Sequence, residues 1–363
     1  MSDLAEITRR LSRFAEETAG SSPLYSHLAA RAAADDEVAG LLTAAPDEHA
    51  RPTLLLAAAH RLIQADPIHP LSRYYPTLGG FDGVDAETWP MLRAFLLERA
   101  DAARQLIATR VTRTNEVQRA ALLYPAVAAA AKQARGAIAL FEVGCAAGLL
   151  LGLDRFGYRY QCGGEQYAAG PIKTAVGLHC AVEVAAGATF AKPQKKLVVS
   201  GRIGLDSAPV DAGDEEELAW LEACVWADHP ERTRLLRTAA AAQRKDPPRL
   251  VAGDAVHDLA GTAALLPTEL PLVVFTSNTM AHLPEDRRPA FIGALAELAA
   301  DRPLWWISHE PYRYCLAYLQ PGRDDLAQRP GVLSVGRWHQ GTPEVTVLAT
   351  TDLHGQRMTW LSH

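Results

Sequence analysis

The stretch IALFEVGCAAG, residues 138 to 148, joins a short apolar run to an acid and two glycines. A short apolar run that ends at a glycine is typical of a buried strand, so a strand is predicted to end at Gly144. Gly144 permits backbone conformations that other residues resist, and Gly148 permits close packing where a helix begins. The pattern therefore predicts a strand, a sharp turn and a helix whose first N–H groups can bind an anionic group.

Further along the chain, apolar strands and amphipathic helices alternate as far as residue 309. Strands are predicted in YRYQ (158–161), LHCAVEV (178–184), KLVVSGRIGLD (196–206), RLVAGD (249–254), PLVVFTSN (271–278) and PLWWISHE (303–310). Helices are predicted in AAGLLLGLDRF (146–156), in residues 215–243 with a break near Pro230, and in residues 285–301. Apolar strands followed by helices indicate an α/β fold with a doubly wound parallel sheet. The tail, residues 331–361, predicts an antiparallel hairpin that closes one edge of that sheet.

The N-terminal part differs from this, because residues 1–135 carry apolar residues at helical spacing and predict an all-helical region that covers the substrate. The second domain is predicted over 136–363. Residues 157–196 exceed an ordinary connection and predict an insertion that could form a lid. Alternatively, LHCAVEV is the strand that follows the first one in the sheet, and Glu183 takes the place that we assign to Asp206.

Composition limits the classes of partner. The net charge is −6, the chain has no basic tract, and no apolar stretch reaches about 18 residues, so neither a nucleic acid nor a membrane is expected as a partner. The five cysteines lie far apart without a CxxC pair, which is typical of reduced thiols in a cytoplasmic protein. The HExxH and GxSxG patterns are absent, which argues against a zinc site and a serine hydrolase.

Acids stand at or near the ends of three predicted strands. Glu142 lies near the end of the first, Asp206 ends KLVVSGRIGLD, and Asp254 ends RLVAGD. A carboxylate at the second position can accept both hydroxyls of a ribose, and one at the third can accept the exocyclic amine of an adenine. Each could instead be a helix N-cap. Three such acids in order predict a nucleotide-type site at the carboxyl ends of the strands.

This order resembles that of the class I methyltransferases that use S-adenosylmethionine. Their first motif commonly reads Asp/Glu-x-Gly-x-Gly-x-Gly, and Ala146 stands here at the central glycine. The segments TNEVQR (114–119) and EVGCAAGLLLGLDRFGYRY (142–160), among others, also resemble a bacterial methyltransferase-like family of unknown function. The resemblance implies a Rossmann-like methyltransferase sheet and S-adenosylmethionine as cofactor. The cofactor-binding residues would be Glu142, Gly144, Cys145, Ala146, Gly148, Asp206, Gly253, Asp254, Ala255, Ser277 and Asn278.

Candidate catalytic residues are those that could serve as a general base near the transferred methyl group. They are His282 after PLVVFTSN, His309 with Glu310 at the end of PLWWISHE, and Glu116. Arg113, Asn115 and Arg119 could bind an anionic substrate, such as a specialised metabolite or a prenyl diphosphate. Asn115 and Glu116 could also hold Mg²⁺ beside a diphosphate.

The sequence therefore predicts a methyltransferase that acts on a carbon, oxygen or nitrogen atom of a small molecule. Two other interpretations stay open. A nucleotide-dependent oxidoreductase is disfavoured because Ala146 and Leu149 stand where the dinucleotide fingerprint has glycines. The other is a catalytically silent methyltransferase-like binding module, for which Ala146 is the best argument. A homodimer is compatible with every interpretation.

Overall fold

The computed structural model describes residues 3–362, and these form two compact units. Unit 1 holds the chain up to Thr114 together with Gly213–Arg237, and unit 2 holds Asn115–Ala212 together with the chain from Thr238 onward.

Helices and strands are numbered separately, each in chain order. The α-helices are α1 (Leu4–Thr18), α2 (Pro23–Ala33), α3 (Asp36–Ala39), α4 (Pro52–Ala65), α5 (Thr88–Glu98), α6 (Ala100–Thr109), α7 (Ala120–Ala134), α8 (Glu215–Ala223), α9 (Pro230–Gln243), α10 (Leu259–Ala263), α11 (Arg287–Asp301) and α12 (Asp324–Ala327). The strands are β1 (Ile138–Val143), β2 (Gly157–Cys162), β3 (Glu165–Ala169), β4 (Gly177–Val184), β5 (Val199–Asp206), β6 (Arg249–Ala252), β7 (Leu272–Ser277), β8 (Leu304–Glu310), β9 (Gly331–His339), β10 (Thr342–Thr351) and β11 (Arg357–Trp360). The 3-10 helices are Gly40–Ala44, Pro70–Tyr74, Pro76–Leu78, Val117–Arg119, Leu149–Arg155, Tyr312–Tyr314 and Leu316–Tyr318.

Unit 1 is helical and, within its described residues, has no strand, as the sequence predicts. α1 begins where the Asp3 side chain accepts a hydrogen bond from the Ala5 N–H, and it buries one stripe of residues at helical spacing. Residues 213–237 belong to this unit because their polar groups bond within it. Asp228 Oδ1 accepts from Ser22 Oγ (2.7 Å), and Glu216 forms an ion pair with Arg61 (2.6 Å).

The domain boundary therefore differs from the one predicted at residue 135. α7 packs on strands of the sheet, and its Ala- and Leu-rich surface is almost wholly buried there, so it belongs to unit 2. A helix made largely of alanine and leucine gave no sign in the sequence of which unit would bury it.

Unit 2 is built on one eleven-stranded mixed sheet in the order β3-β2-β4-β11-β10-β9-β8-β7-β1-β5-β6. The five strands β6, β5, β1, β7 and β8 are mutually parallel. Among these five strands, the chain passes from β1, by way of β2, β3 and β4, to β5 and β6 on one side of β1, and it then forms β7 and β8 on the other side. The winding thus reverses between β1 and β7, which is the place where α/β sheets leave a crevice at their carboxyl ends.

Helices cover both faces of the parallel strands. Alternate residues of β1, β5, β7 and β8, among them Phe141, Val274 and Trp306, form one buried cluster with residues of α10 and α11. α7 covers the opposite face, where Trp305 Nε1 of β8 donates to Gln133 Oε1 (2.9 Å). Strand residues of both faces are therefore apolar, in agreement with the prediction of a parallel sheet covered on both sides.

The C-terminal hairpin is present but does not close the sheet. β9 and β10 are antiparallel, and both loop residues, Gln340 and Gly341, have positive φ, as a two-residue hairpin loop of type I′ requires. β11 then pairs in parallel with β4, so the sheet continues through β4, β2 and β3. The hairpin that was predicted to form one edge of the sheet therefore lies in its interior.

Three further predictions for this half are corrected. Residues 157–196 do not form a lid, because this segment supplies the strands β2, β3 and β4 of the sheet. AAGLLLGLDRF forms a 3-10 helix over Leu149–Arg155 and not an α-helix. The alternative with Glu183 also fails, because β5, and not β4, pairs with β1, whereas Glu183 lies opposite Thr359 of β11.

Candidate functional site

The loop after β1 has an unusual backbone. Gly144, Ala146 and Gly148 all have positive φ, at 76°, 48° and 65°. A Cβ on Gly144 would overlap the Thr279 side chain, and one on Gly148 would approach Leu250 Cδ2 to 2.8 Å. Glycine is thus required at both ends of the loop, and Ala146 adopts the left-handed conformation at a cost of roughly 1 kcal/mol.

Hydrogen bonds with three other residues hold this loop in place. Asp206 Oδ2 at the end of β5 accepts from the Ala146 N–H (2.9 Å), and the Ala146 carbonyl accepts from the Val210 N–H (3.0 Å). Asn115 Oδ1 accepts from the Leu149 N–H (3.1 Å). The predicted ribose acid and one predicted substrate residue therefore both fix the glycine loop.

Ala146 permits a test of whether the loop is strained. Ala146→Gly is expected to leave the free energy of unfolding unchanged or to raise it by up to about 1 kcal/mol, because glycine adopts positive φ without a steric cost. The matched change Ala296→Gly in the middle of α11 should lower it by about 1 kcal/mol. Urea unfolding of both variants measures this, and an equal loss in the two would contradict a left-handed Ala146.

Glu142 is a buried acid at the carboxyl end of the central strand. Its side chain is 2% exposed, and alternation along β1 turns it toward the α7 face. Burial raises its pKa well above the usual range, and the negative charge of Asp206 adds to this rise. Its Oε2 has no hydrogen-bond partner among the described residues, and no cation there forms an ion pair with it. A buried carboxyl group in this state is costly unless a ligand compensates it.

The end of β7 lies against the same loop. Thr279 Oγ1 donates to the Val143 carbonyl (2.9 Å), and the Thr279 N–H donates to Glu310 Oε1 (2.8 Å). Asn278 has a φ of 61°, and its N–H donates to the His309 carbonyl (2.9 Å). Residues 277–279 thus join the ends of β1, β7 and β8.

His309 is held in a chain of hydrogen bonds with two hydroxyl groups. Its Nδ1 lies 3.1 Å from Ser277 Oγ, and its Nε2 lies 2.8 Å from Thr351 Oγ1. Burial, together with the positive charge of Arg119, lowers the pKa of His309 to about 3. The imidazole is therefore neutral at physiological pH and is a poor proton acceptor.

Glu310, the next residue, has a pKa in the range that suits a general base. It is 1% exposed, and burial raises its pKa to about 7, while the backbone N–H groups of Thr279 and Met280 and the charge of Arg119 act in the opposite direction. A carboxyl group with this pKa exists in both protonation states near neutral pH, as a general base requires.

The TNEVQR segment lies beside these strand ends. Arg119 is buried; its Nε donates to the Leu353 carbonyl (2.9 Å) and its Nη1 to the Ser277 carbonyl (3.4 Å). Glu116 Oε2 lies 3.7 Å from His354 Nδ1. This segment therefore connects β7 with the loop that joins β10 to β11.

Asp254 forms the turn after β6 in a way that the sequence did not reveal. Arg287 of α11 pairs with both of its carboxylate oxygens (2.6 and 2.8 Å), and Oδ1 also accepts from the Val256 and His257 N–H groups. These bonds lower the pKa of Asp254, the largest contribution coming from His257. The Gly253 N–H donates to the Asp206 carbonyl (2.9 Å), and the half-buried Ala255 follows in the turn.

The structure also locates three further predicted site residues. His282 is exposed in the turn after β7. Cys145 is buried against Gly204 of β5, where its sulfur fills space that only a glycine leaves open. Arg113 belongs to unit 1, whereas Asn115 and Arg119 belong to unit 2.

The structure adds three residues to the site that the sequence did not single out: Thr279, Thr351 and His354. Thr279 directly follows the predicted strand PLVVFTSN, one residue after Asn278. Thr351 and His354 come from the C-terminal part of the sheet, and only the pairing of β10 with β9, and of β9 with β8, brings them near.

Neither a metal-binding cluster nor a membrane-spanning helix is found within residues 3–362. No group of three or more His, Cys, Asp and Glu residues in that range is arranged to hold a metal ion. Within the same range, no helix has both the length and the apolar character that crossing a membrane demands.

Comparison with known proteins places the chain in a family. Residues 8–360 match the family model described as an uncharacterized protein conserved in bacteria, DUF2332, and the chain belongs to this family. No curated protein and no solved structure matches it.

Proposed function

We propose that this family member is an S-adenosylmethionine-dependent methyltransferase that acts on a small molecule, and that its parallel strands form a Rossmann-like methyltransferase sheet. The order β6-β5-β1-β7-β8 supports this, because it is the order 3-2-1-4-5 of doubly wound nucleotide-binding sheets. The antiparallel strands β9 and β10 lie beyond β8 in the sheet. This arrangement is compatible with a site between β1 and β7.

The observation that carries the proposal is the uncompensated carboxyl group of Glu142. It lies beside a glycine loop at the reversal of strand order, and burial disfavours its ionised form. A ligand that brings positive charge would relieve this cost. S-adenosylmethionine carries a sulfonium and an ammonium group, whereas NADH is an anion that would add to the negative charge. The residues present therefore fit the first cofactor better than the second.

Specific residues have defined roles in this proposal. The backbone of residues 144–148 would bind the methionine end of the cofactor, and Glu142 would face its positive charge. Asp206 would hold both the loop and the ribose, and the turn at Gly253 and Asp254 would contact the adenine. When bound, the cofactor supplies a methyl group on a sulfonium for in-line displacement.

Glu310 is the best candidate for the general base. Its pKa of about 7 allows it to accept a proton from the acceptor near neutral pH, whereas His309, with a pKa of about 3, holds a proton poorly. His309 instead orients Ser277 and Thr351 through its two ring nitrogens. Arg119, which lies near both residues, would contribute positive charge for an anionic acceptor, and Asn115 and Glu116 would border it.

Calorimetric titration at several pH values tests the proposal. Wild-type protein is expected to bind S-adenosylmethionine and S-adenosylhomocysteine and not NADH. These two ligands differ by the sulfonium charge, so the ratio of their affinities isolates its effect on Glu142. As pH rises from 6 to 8, the ratio should shift toward S-adenosylmethionine by up to about tenfold per unit, the limit for release of one proton.

The control is Glu142→Gln, which removes the titrating group and keeps the shape, so its affinity ratio should not depend on pH. Binding of NADH alone would replace the proposal with an oxidoreductase. Binding of both sulfur ligands with a flat ratio in wild-type protein would remove Glu142 from its role. Retained binding without transfer to any acceptor would indicate a binding module.

A further inference from the structure

A cavity lies at the amino ends of β7 and β8. Its volume is about 1070 Å³, and Pro271 and Pro303, which immediately precede β7 and β8, line it. The candidate site is at the carboxyl ends of these same strands, so the two sites are separated by the length of the strands. We call this cavity the amino-end groove.

Four cations line the amino-end groove: Lys132, Arg135, Lys192 and Arg337. No acidic residue is among the lining residues, and none of the four cations forms an ion pair within residues 3–362. The whole chain has a net charge of −6, so this is a local concentration of positive charge on an acidic protein. Like charges around one cavity repel each other, which favours an anion between them.

A purely structural role explains only part of this cluster. Lys132 is in the last turn of α7 and Arg135 follows it, where cations stabilise the helix dipole. Lys192 and Arg337 come from a loop and from β9, and no helix end accounts for them. Three different elements thus bring positive charge to one cavity.

Arg337 is held in position. Its guanidinium group lies over the Trp305 ring, 4.8 Å from the centroid, and its Nη1 lies 3.5 Å from Gln133 Oε1. The same oxygen accepts from Trp305 Nε1 (2.9 Å). A guanidinium group that is stacked and oriented in this way loses less entropy when it binds an anion.

The lining also limits the kind of anion. The remaining wall is mostly alanine and proline, and Trp305 is 3% exposed, so no aromatic face is open for a nucleobase to stack on. The volume exceeds what one phosphate needs. We propose that the amino-end groove binds a small multiply charged anion of the linear triphosphate class, through the charges of Lys132, Arg135, Lys192 and Arg337.

Calorimetric titration of the full chain with sodium tripolyphosphate tests this proposal without any methyltransferase assay. Wild-type protein should bind one equivalent, and Arg337→Gln and Lys192→Gln should each weaken binding about tenfold, as expected for one lost charge-assisted hydrogen bond. Lys245→Gln removes the same charge from an exposed residue outside the groove and should bind as wild type does. Thermal unfolding of each variant controls for folding.

Several results would overturn the proposal. One is the absence of saturable binding by wild-type protein, and another is an equal loss in Lys245→Gln. Tighter binding of a hexaglutamate peptide or of a single-stranded oligonucleotide than of tripolyphosphate would assign the groove to a different class of ligand. A double variant, Lys192→Gln with Arg337→Gln, that binds as tightly as wild type would place the anion elsewhere.

Discussion

Glu310→Gln is expected to be more stable than the wild type by roughly 3 kcal/mol at pH 8 and equally stable at pH 4. Burial raises the pKa of Glu310 to about 7, whereas in the unfolded chain it titrates near its ordinary value of 4.5. Between these values the folded protein binds the proton that the unfolded chain has released. The contribution of Glu310 to wild-type stability therefore falls as pH rises from 4.5 to 7 and then levels off.

Glutamine keeps the shape and the oxygen that accepts from the Thr279 N–H, but it does not titrate. His309 acts in the opposite direction, because its pKa of about 3 makes stability fall as pH drops below 6.5. This effect is present in both proteins and cancels in their difference. Urea unfolding from pH 4 to pH 8 measures the difference, with exposed Glu297→Gln as the control. Parallel curves for wild type and Glu310→Gln would contradict a raised pKa.

Asp206→Ala is expected to weaken S-adenosylmethionine binding by about 100-fold, because the glycine loop and the segment after β5 each lose a hydrogen bond to a charged group. Asp206 Oδ2 accepts from the Ala146 N–H and Oδ1 from the Ala208 N–H, both at 2.9 Å. Without these bonds, the left-handed conformation of Ala146 is less stabilised. Calorimetric titration of the variant measures the loss.

Asp206→Asn is the control for misfolding, since its amide oxygen can still accept one of the two hydrogen bonds. We expect it to bind with an affinity between those of the wild type and the alanine variant. Asp301→Ala, which removes an exposed acid at the end of α11, should bind as wild type does. If both Asp206 variants fold and bind S-adenosylmethionine as tightly as wild type, Asp206 does not organise the cofactor site.

The buried parallel strands were predictable because their signal is local. IALFEV, LVVFTS and LWWISHE are short apolar runs bounded by glycine, proline or polar residues, and β1, β7 and β8 occupy them. Glu142, Asp206 and Glu310 could be selected for the same reason, since a strand end shows in the sequence. Which of their oxygens bonds to which N–H group is set by neighbouring strands and could not be read locally.

The features that could not be predicted from the sequence depend on contacts between distant parts of the chain. β4 pairs with β11 although more than 170 residues separate them, so the long segment 157–196 was interpreted as a lid. The 3-10 helix after Gly148 has the same residues that an α-helix would use, and a contact from Asn115 to its first N–H helps to set its start. The ion pair between Asp254 and Arg287 could not be predicted from the local sequence either, because Arg287 lies on α11, far along the chain.

Hydrogen–deuterium exchange of the wild-type protein, with and without saturating S-adenosylhomocysteine, tests the central claim most directly. We predict slower exchange of the amides at residues 144–149 and 206–208, where the ligand would stabilise the loop and the bonds that hold it. We predict no change at residues 132–135, which line the amino-end groove. Unchanged exchange at residues 144–149, or protection confined to another part of the sheet, would contradict a cofactor site at the end of β1.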